Sequence, residues 1–217
     1  MFNLGATNQG VWSVEVLNPV QRRIHQAALR LFAEKGAEQV SVSDLAHEAG
    51  VARGTIYNNV KNMDVLFEEV AGRLSAEMHE RVKKSFGVTS DPAHRLANGI
   101  RLFIRRAHDE PQWGAFIHRY AMSNASLREL FASQAMADLM RGLSCGRYNF
   151  RQEQMASVVS LSASTVLGSI FLVLEGHSTW RNAGADAAEF TLRALGISPE
   201  EARVLANDAL PPLPPLD

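Results

Sequence analysis

Cysteine is almost missing from this chain, since Cys145 is the only one among 217 residues. One thiol cannot form an internal disulfide, which excludes a disulfide-stapled secreted scaffold and favours a reducing compartment. We therefore expect a cytoplasmic protein in which Cys145 is a buried, inert thiol. Residues 1–20 have no basic start followed by an apolar core, so we expect no secretory signal peptide in them.

Patterns typical of catalytic and metal sites are missing as well. The sequence has no glycine-rich phosphate-binding loop, no Gly-x-Ser-x-Gly elbow and no paired catalytic carboxylate pattern. The histidines are dispersed, and none belongs to a His-x-x-x-His pair. We therefore predict that the chain is not an enzyme and that it binds no metal ion and no cofactor.

One long run lacks charge, from Ala156 to Leu174, and it is nearly long enough to span a bilayer. It contains six Ser and Thr residues and no basic cluster flanks it, which favours a buried helix at a protein–protein contact over a membrane span. Almost every other segment shows helical spacing of apolar residues, with no convincing period-two strand and no internal repeat. The predicted fold class is therefore all-α.

The stretch GVARGTIYNNV, from Gly50 to Val60, is too polar for a helix in a core. It follows the amphipathic segment VSVSDLAHEA, and a tight turn separates the two, which is the plan of a helix-turn-helix. Outward side chains of the second helix must be small or form hydrogen bonds to fit a major groove about 12 Å wide. Amide side chains pair well with adenine, and an arginine reaches guanine or phosphate. The predicted DNA-contacting residues are Ser41, Ser43, Arg53, Gly54, Thr55, Tyr57, Asn58, Asn59 and Lys61.

Charge around this stretch is mildly asymmetric. Between Val20 and Asn62, six Lys and Arg residues oppose four Asp and Glu residues, whereas the whole chain carries a net charge of −1. A local positive balance suits a polyanionic partner even when the total charge is near zero. Arg22 and Arg23 fit two interpretations, namely solvated surface charges or phosphate contacts.

The segment VSVSDLAHEAGVARGTIYNNVKNMDVLFEEV resembles the DNA-binding signature of TetR-family transcriptional regulators. The resemblance covers roughly Val20 to Leu74, whereas the later helices agree only in number, length and an Arg-Ala-Leu-Gly ending. Asn59 and Val60 depart from the signature, because such proteins often carry His or Tyr followed by Phe there. The matching elements are Ser41–Ala46, Ala49–Val51, Gly54–Tyr57, Lys61 through Leu66 and Phe67, and upstream Phe32 with Gly36.

The resemblance implies a cytoplasmic homodimeric transcriptional regulator, and a repressor in particular. Each subunit would place its recognition helix in the major groove of a palindromic operator in double-stranded DNA. The larger domain would bind a small-molecule effector that changes the DNA affinity. The dimer would form through about residues 151–195, as a four-helix bundle of one helix over Arg151–Trp180 and another over Ala185–Leu195 from each subunit.

Aromatic and methionine side chains in the larger domain are candidates for lining an effector pocket, because they tolerate irregular cavities. Plain core packing is the alternative for each of them. Such a lining favours an apolar or aromatic small molecule. The predicted ligand-binding residues are Trp113, Phe116, Tyr120, Phe131, Met140 and Phe171, with Glu175 as a polar candidate.

Helix-start residues divide the chain. Ser41, Asn62, Asp91 and Ser126 are predicted N-caps. We predict a flexible N-terminal arm over 1–19, a three-helix helix-turn-helix DNA-binding domain over 20–62, a connecting helix over 63–90, a helical ligand-binding and dimerisation domain over 91–210, and a Pro-rich tail over 211–217.

Two other functions fit the same sequence. One is a DNA-binding regulator without small-molecule input, whose larger domain has no cavity of useful size. The other is a small-molecule-binding helical protein that keeps a vestigial DNA-binding unit. Salt-dependent DNA binding and a ligand-sized cavity are the observations that separate the three.

Overall fold

Ten α-helices make up most of the structure, a computed structural model that describes residues 17–87 and 89–215 apart from the side chains of Ser133 and Gln134. No strand occurs in the part of the chain so described, and the all-α prediction is confirmed. The predicted N-terminal arm falls outside the described residues as far as residue 16. The helices are α1 (Pro19–Lys35), α2 (Val42–Ala49), α3 (Arg53–Asn59), α4 (Met63–Ser85), α5 (Pro92–Asp109), α6 (Pro111–Tyr120), α7 (Ala125–Ser144), α8 (Met155–Leu174), α9 (Trp180–Ala194) and α10 (Pro199–Asn207).

Local capping explains where the helices begin. Ser41, Asn62 and Asp91 cap α2, α4 and α5 as predicted, each through a side-chain oxygen that accepts a backbone N–H of the first turn. The prediction for α7 is wrong, because its N-cap is Asn124 and not Ser126. The Asn124 amide oxygen accepts a first-turn N–H at 3.1 Å, so the helix starts earlier than the serine suggested.

The long helix predicted over Arg151–Trp180 is shorter than expected. Helix α8 gives way to a turn at Gly176, which has φ of 71°, in the left-handed region that glycine adopts without a Cβ clash. Thr179 then caps α9 through its hydroxyl oxygen. The predicted start at Ala185 is therefore wrong, because the Thr179 cap lets α9 begin at Trp180.

The first three helices and the start of α4 share an apolar core. Ile24 and Phe32 of α1, Leu45 of α2, Ile56 of α3 and Leu66 of α4 are all buried. Burying a side chain of this size stabilises the fold by about 1.5–3 kcal/mol. Helix α3 contributes one fully buried side chain, Ile56, to this core, and Arg53, Tyr57 and Asn58 remain exposed on its other side.

Helix α5 is the centre of the larger domain and packs against α6, α7, α8, α9 and α10. Its Arg106 is 2% exposed and contacts Glu77 of α4 at 2.6 Å and Glu110 at 3.0 Å. The same guanidinium lies 4.6 Å from the centroid of the Trp113 ring. Burial by itself would raise the pKa of Glu110, but the charges and hydrogen bonds of Arg106 and Arg81 outweigh it and lower that pKa. This ionic cluster ties the connecting helix to the larger domain.

The Pro-rich tail runs back along α4. A proline-rich segment has few backbone N–H groups and cannot pair its carbonyls within itself. These carbonyls therefore need donors from other parts of the protein. Nε of Arg81 donates to the Pro214 carbonyl at 2.9 Å, and the Ser85 hydroxyl donates to the Pro212 carbonyl at 2.9 Å. Leu213 packs against the core. The tail is therefore attached to the helix that joins the two domains.

Helix α8 has one buried face and one open face. Within the described residues, one helical stretch, Gln152–Leu174, is long and apolar enough to cross a membrane by length and composition, and 33% of its most apolar window is buried. Val166 and Ile170 lie on the buried face, whereas Leu161 and Phe171 are exposed. One side of α8 is therefore buried within the chain, and the predicted protein–protein contact on its other side stays a prediction.

The prediction that Cys145 is buried is wrong, because the thiol is exposed. This residue follows the last residue of α7, where the chain turns at Gly146 with φ of 71°. Its Sγ donates weakly to the Gly142 carbonyl at 3.6 Å. The spacing of apolar residues along α7 does not predict that its C-terminal end, next to Cys145, lies at the surface.

Removing the buried cation tests the importance of the cluster around Arg106. We expect Arg106→Ala to lower the free energy of unfolding by about 3 kcal/mol, because Glu77 and Glu110 lose their buried partner and keep Arg81. Urea denaturation measures this loss. The matched control is Arg30→Ala, which breaks a surface pair with Glu48 at 2.7 Å and should cost less than about 1 kcal/mol. Equal losses in both variants would contradict the expected importance of the buried cluster.

Candidate functional site

The turn between α2 and α3 is fixed by one glycine and two backbone hydrogen bonds. Gly50 has φ of 62° and ψ of 42°, a left-handed conformation that disfavours a side chain. Its N–H donates to the His47 carbonyl at 3.1 Å, and the Val51 N–H donates to the Ala46 carbonyl at 3.0 Å. These bonds hold the start of α3 against the end of α2.

Arg23 of α1 braces the same turn. Its Nη2 atom donates to the carbonyl oxygens of Ala49 and Gly50, both at 2.7 Å. Carbonyls at the end of a helix lack intrahelical partners and carry the negative end of the helix dipole, so a guanidinium suits them. A Cβ on Gly50 would lie 2.8 Å from Nη2, so the close approach also favours glycine. The sequence pattern did not indicate this internal role of Arg23.

The outer face of α3 is open to solvent. Arg53, Gly54 and Asn58 are exposed, and Tyr57 exposes 69% of its surface. Among the described residues, no atom beyond the adjacent backbone lies within 4 Å of the position that a Gly54 Cβ would occupy. Packing within the protein therefore does not require a glycine there. A glycine, an amide and an aromatic hydroxyl without internal partners are suited to an element that enters a groove.

Two predicted DNA contacts of α3, Thr55 and Asn59, are half-buried. Nδ2 of Asn59 donates to the Thr55 carbonyl at 2.8 Å. This NH₂ group is therefore engaged within its own helix, and a bond to a base would compete with that contact. The DNA-contact role of both residues stays a prediction.

The residues that flank α3 have mixed roles. The Ser41 hydroxyl donates to the Asp44 carboxylate at 2.5 Å and accepts the Asp44 N–H at 3.1 Å. Lys35 lies 2.9 Å from the same carboxylate, and these hydrogen bonds lower the pKa of Asp44. Ser43 is half-buried in the first turn of α2, and Lys61 is exposed just after α3. Of this group, the exposed lysine is the side chain with most freedom to reach a phosphate.

The larger domain contains a cavity of about 40 Å³ between α4, α5, α7 and α8. Its polar side is an ion pair, in which Nε of Arg95 donates to Oδ1 of Asp138 at 2.7 Å. The guanidinium also lies 4.2 Å from the centroid of the Phe86 ring. Most of the other lining is apolar and includes Leu96, Gly99, Ile100, Phe103, Phe131, Ala135, Ala163 and Val166.

Sequence reasoning missed the two charged residues of this cavity. Asp138 lies on the inward side of α7, next to the buried Leu139, and its side chain is 4% exposed. A carboxylate at an inward position of an apolar pattern needs a cation when it is buried. That mismatch was the available signal, although it does not name Arg95 as the partner.

Of the seven predicted ligand-binding residues, Phe131 lines the cavity between α4, α5, α7 and α8, and the other six do not. Met140 is 58% exposed, Phe171 is 42% exposed, and Glu175 is exposed after the last turn of α8. The ligand-binding role of the other six stays a prediction. Aromatic and methionine residues on several helices share a composition, but composition does not determine which faces converge.

The three predicted residues of α6 have packing and linking roles. Trp113 and Phe116 are fully buried. The Tyr120 hydroxyl accepts the Ala37 N–H at 2.8 Å and donates to the Phe32 carbonyl at 3.1 Å. Both partners lie at the end of α1 or just after it. Tyr120 therefore joins the helix-turn-helix unit to the larger domain.

Two parts of the chain match family descriptions. Residues 24–70 match the bacterial regulatory proteins of the tetR family. Residues 91–208 match the domain described as Tetracyclin repressor-like, C-terminal domain. The first match runs from α1 through the helix-turn-helix into α4, and the second covers α5 to α10.

Curated relatives match through the N-terminal part. An uncharacterized HTH-type transcriptional regulator of Haemophilus influenzae is 42% identical over 67 residues, which are 31% of this chain and 36% of that protein. The fatty acid metabolism regulator protein of Bacillus subtilis is 40% identical over 70 residues, which are 30% of this chain and 36% of that protein. The chain thus matches about a third of the length of these relatives.

Solved structures share the whole fold. RolR in complex with the ligand resorcinol has a TM-score of 0.70, covering 90% of this chain and 96% of that chain at 22% identity. That identity shows a common fold alone, whereas the matched family domains cover more than half of the chain. The chain therefore belongs to the TetR family of bacterial regulatory proteins, whose members are transcriptional regulators and not enzymes.

Proposed function

We propose that this protein is a cytoplasmic homodimeric repressor that binds a palindromic operator and is released from it by a small apolar or aromatic effector. The single observation that carries the proposal is the open outer face of α3 on a braced turn. Ile56 supports that helix from inside, and Tyr57 stands 69% exposed on the outside. Such a surface stabilises the fold little by itself, so a contact outside the protein explains its composition best.

Helix α3 would lie in the major groove of double-stranded DNA. Arg53 in its first turn would reach a phosphate or a guanine, and Gly54 would let the backbone approach the base edges. Tyr57, Asn58 and the more enclosed Asn59 would add hydroxyl and amide contacts. These roles rest on exposure and on residue chemistry together.

Exposed apolar side chains on α8 and α9 support a dimer. Leu161, Phe171 and Leu172 expose 44%, 42% and 39% of their surfaces, and Phe190 of α9 exposes 59%. An exposed Gly168 lies between the first two, where a Cβ would meet nothing within 4 Å, so a second helix can approach closely. Contiguous exposed apolar surface marks contact sites. A second copy on this face would form a four-helix bundle and present two α3 helices about one DNA turn, ~34 Å, apart.

The cavity between α4, α5, α7 and α8 is the proposed effector site. RolR, which shares the fold, was solved with resorcinol, a small aromatic molecule. We extend that ligand class to this chain, because aromatic walls would hold a ring and the Arg95–Asp138 pair would bind a polar substituent. Small-molecule sites usually measure about 300–1,000 Å³. A cavity of about 40 Å³ would therefore have to widen as the effector enters.

The effector signal would reach the DNA-binding helix through α4 and α6. Val82 of α4 lines the cavity, and the first turn of α4 follows α3 closely along the chain. Tyr120 of α6 bonds to the end of α1. An effector shifts the balance between two arrangements only by the difference in its affinity for them. The distance between the two recognition helices is the quantity that such a shift would change.

A regulator without small-molecule input is the second candidate function. The small volume of the cavity favours it, because about 40 Å³ accommodates a few water molecules at most. In that case the Arg95–Asp138 pair would serve the stability of the larger domain alone. The two candidates share the DNA-binding face and differ only in the role of the cavity.

Truncating the exposed tyrosine tests the DNA-binding face. We expect Tyr57→Ala to lower operator affinity by about tenfold or more, because a groove contact is typically worth about 1–3 kcal/mol and the dimer loses two. Fluorescence anisotropy with an operator selected from genomic DNA measures the loss. The control is Val204→Ala on α10, another apolar side chain that is 69% exposed. Unchanged affinity in the tyrosine variant would contradict the proposed interface.

Arg23 gives a second test, which separates bracing from phosphate contact. Arg23→Ala should lower the free energy of unfolding by about 1.5–3 kcal/mol through the loss of charged hydrogen bonds, and should weaken operator binding. The slope of log affinity against log salt should stay unchanged, because no phosphate contact is lost. Arg22→Ala, at the neighbouring arginine that is exposed like Arg23, is the control for the loss of a positive charge. A slope reduced by about one in Arg23→Ala would assign that residue to phosphate instead.

Filling the cavity decides between the two candidate functions. In a thermal-shift panel of small hydroxylated aromatics that includes resorcinol, we expect at least one compound to raise the Tm of the unaltered protein. At a hundredfold excess over Kd, the stabilisation is about 2.7 kcal/mol, which corresponds to roughly 5 °C or more. Ala163→Leu narrows the cavity and should abolish the shift while keeping DNA affinity. No shift with any compound would favour the regulator without an effector.

A further inference from the structure

A second concave site lies apart from the cavity between α4, α5, α7 and α8. A cleft of about 400 Å³ opens between α5, α9 and α10. Arg101 and Arg105 of α5 line it together with Trp180 and Arg181 of α9. Leu210, just after α10, adds an apolar surface. Three guanidinium groups and one indole therefore face a single cleft.

The charges around this cleft leave one arginine without a nearby acid. Nε of Arg105 lies 3.4 Å from Asp109, and Nη2 of Arg101 donates to the Asp208 carbonyl oxygen at 2.8 Å. The Asp208 carboxylate itself lies 3.2 Å from His94. Across the described residues, no carboxylate oxygen lies within 4 Å of the Arg181 guanidinium nitrogens. The cleft therefore presents uncompensated positive charge.

The indole of Trp180 organises this charge. The guanidinium carbon of Arg181 lies 4.5 Å from the ring centroid, and that of Arg105 lies 5.4 Å from it. A guanidinium over an aromatic face is held in place by the ring quadrupole without being neutralised. Arg181 thus keeps its hydrogen-bond donors available while its position is restricted, whereas Nε of Arg105 also faces Asp109. Ordering before binding reduces the entropy that a ligand must overcome.

One of the three arginines is buried, whereas Arg105 is half-buried and Arg181 is exposed. Arg101 is 9% exposed, and its side chain packs 3.5 Å from the position that a Cβ on Gly184 would occupy. Burial lowers the pKa of Arg101 and the neighbouring Asp208 opposes that shift, but an arginine keeps its proton at neutral pH. Arg101 therefore adds a fixed positive charge beside the two more exposed arginines of the cleft.

We propose that this cleft binds a small organic anion, namely a carboxylate with a flat or extended apolar body. The planar fork of Arg181 matches a carboxylate in a bidentate geometry, and Arg105 would contact the same group. The apolar body would lie against Trp180 and Leu210. The volume of the cleft, about 400 Å³, falls within the usual range for small-molecule sites, about 300–1,000 Å³. The cavity between α4, α5, α7 and α8 is smaller than that range. The site does not depend on the proposed DNA-binding function.

Isothermal titration calorimetry on the full chain at constant ionic strength tests the proposal. The probes are benzoate, phenylacetate and octanoate, with benzyl alcohol as the neutral analogue and inorganic phosphate as the bare anion. We expect saturable binding of at least one carboxylate, one per chain. Arg181→Gln should weaken it by about tenfold or more through the loss of charged hydrogen bonds, and Arg105→Gln should weaken it as well.

The matched control is Arg203→Gln, an exposed arginine of α10 that does not line the cleft and should leave the affinity within twofold. Circular dichroism verifies that the variants fold. Failure of all three carboxylates to bind would overturn the proposal. So would equal binding of benzyl alcohol or phosphate, or binding that survives Arg181→Gln. If Ala163→Leu abolishes carboxylate binding and Arg181→Gln does not, the carboxylate occupies the cavity between α4, α5, α7 and α8 instead.

Discussion

Helix α4 takes part in two cores at once, and the relation between the two halves of the protein depends on this shared helix. Its first half places Phe67 beside Phe32 of α1, with ring centroids 5.5 Å apart. Its second half lines the cavity between α4, α5, α7 and α8 through Val82 and meets the buried Arg106 through Glu77. The helix is continuous from Met63 to Ser85, so a single element connects the helix-turn-helix to the larger domain.

The helix-turn-helix combines a rigid support with an unused surface. Gly50 and Arg23 fix the backbone on one side of α3, and Ile56 alone joins that helix to the core. The outer side, with Tyr57, makes no contact that would stabilise the folded monomer to a comparable degree. Local sequence choices that do not serve stability are expected where a protein meets its partner.

Two concave sites of the larger domain differ in charge, and α5 contributes to both. In the cavity between α4, α5, α7 and α8, Asp138 neutralises Arg95, which suits the proposed neutral aromatic effector. In the open cleft Arg181 has no such counter-ion among the described residues, so an anion suits it better. The tail continues from Leu210 at the cleft to Pro214, which bonds to α4, so the chain itself links the cleft to the connecting helix.

The sequence by itself determined the helical class, the helix-turn-helix and most helix starts, since these depend on residues within a few positions of one another. Ser41, for example, caps the N–H of a residue three positions later. Only the tertiary structure decided which side chains share a cavity. Arg95 and Asp138 meet across 43 positions, while Met140 and Phe171, equally plausible by composition, are exposed. Helical periodicity shows which residues share a face, but the packing of whole helices determines what that face meets.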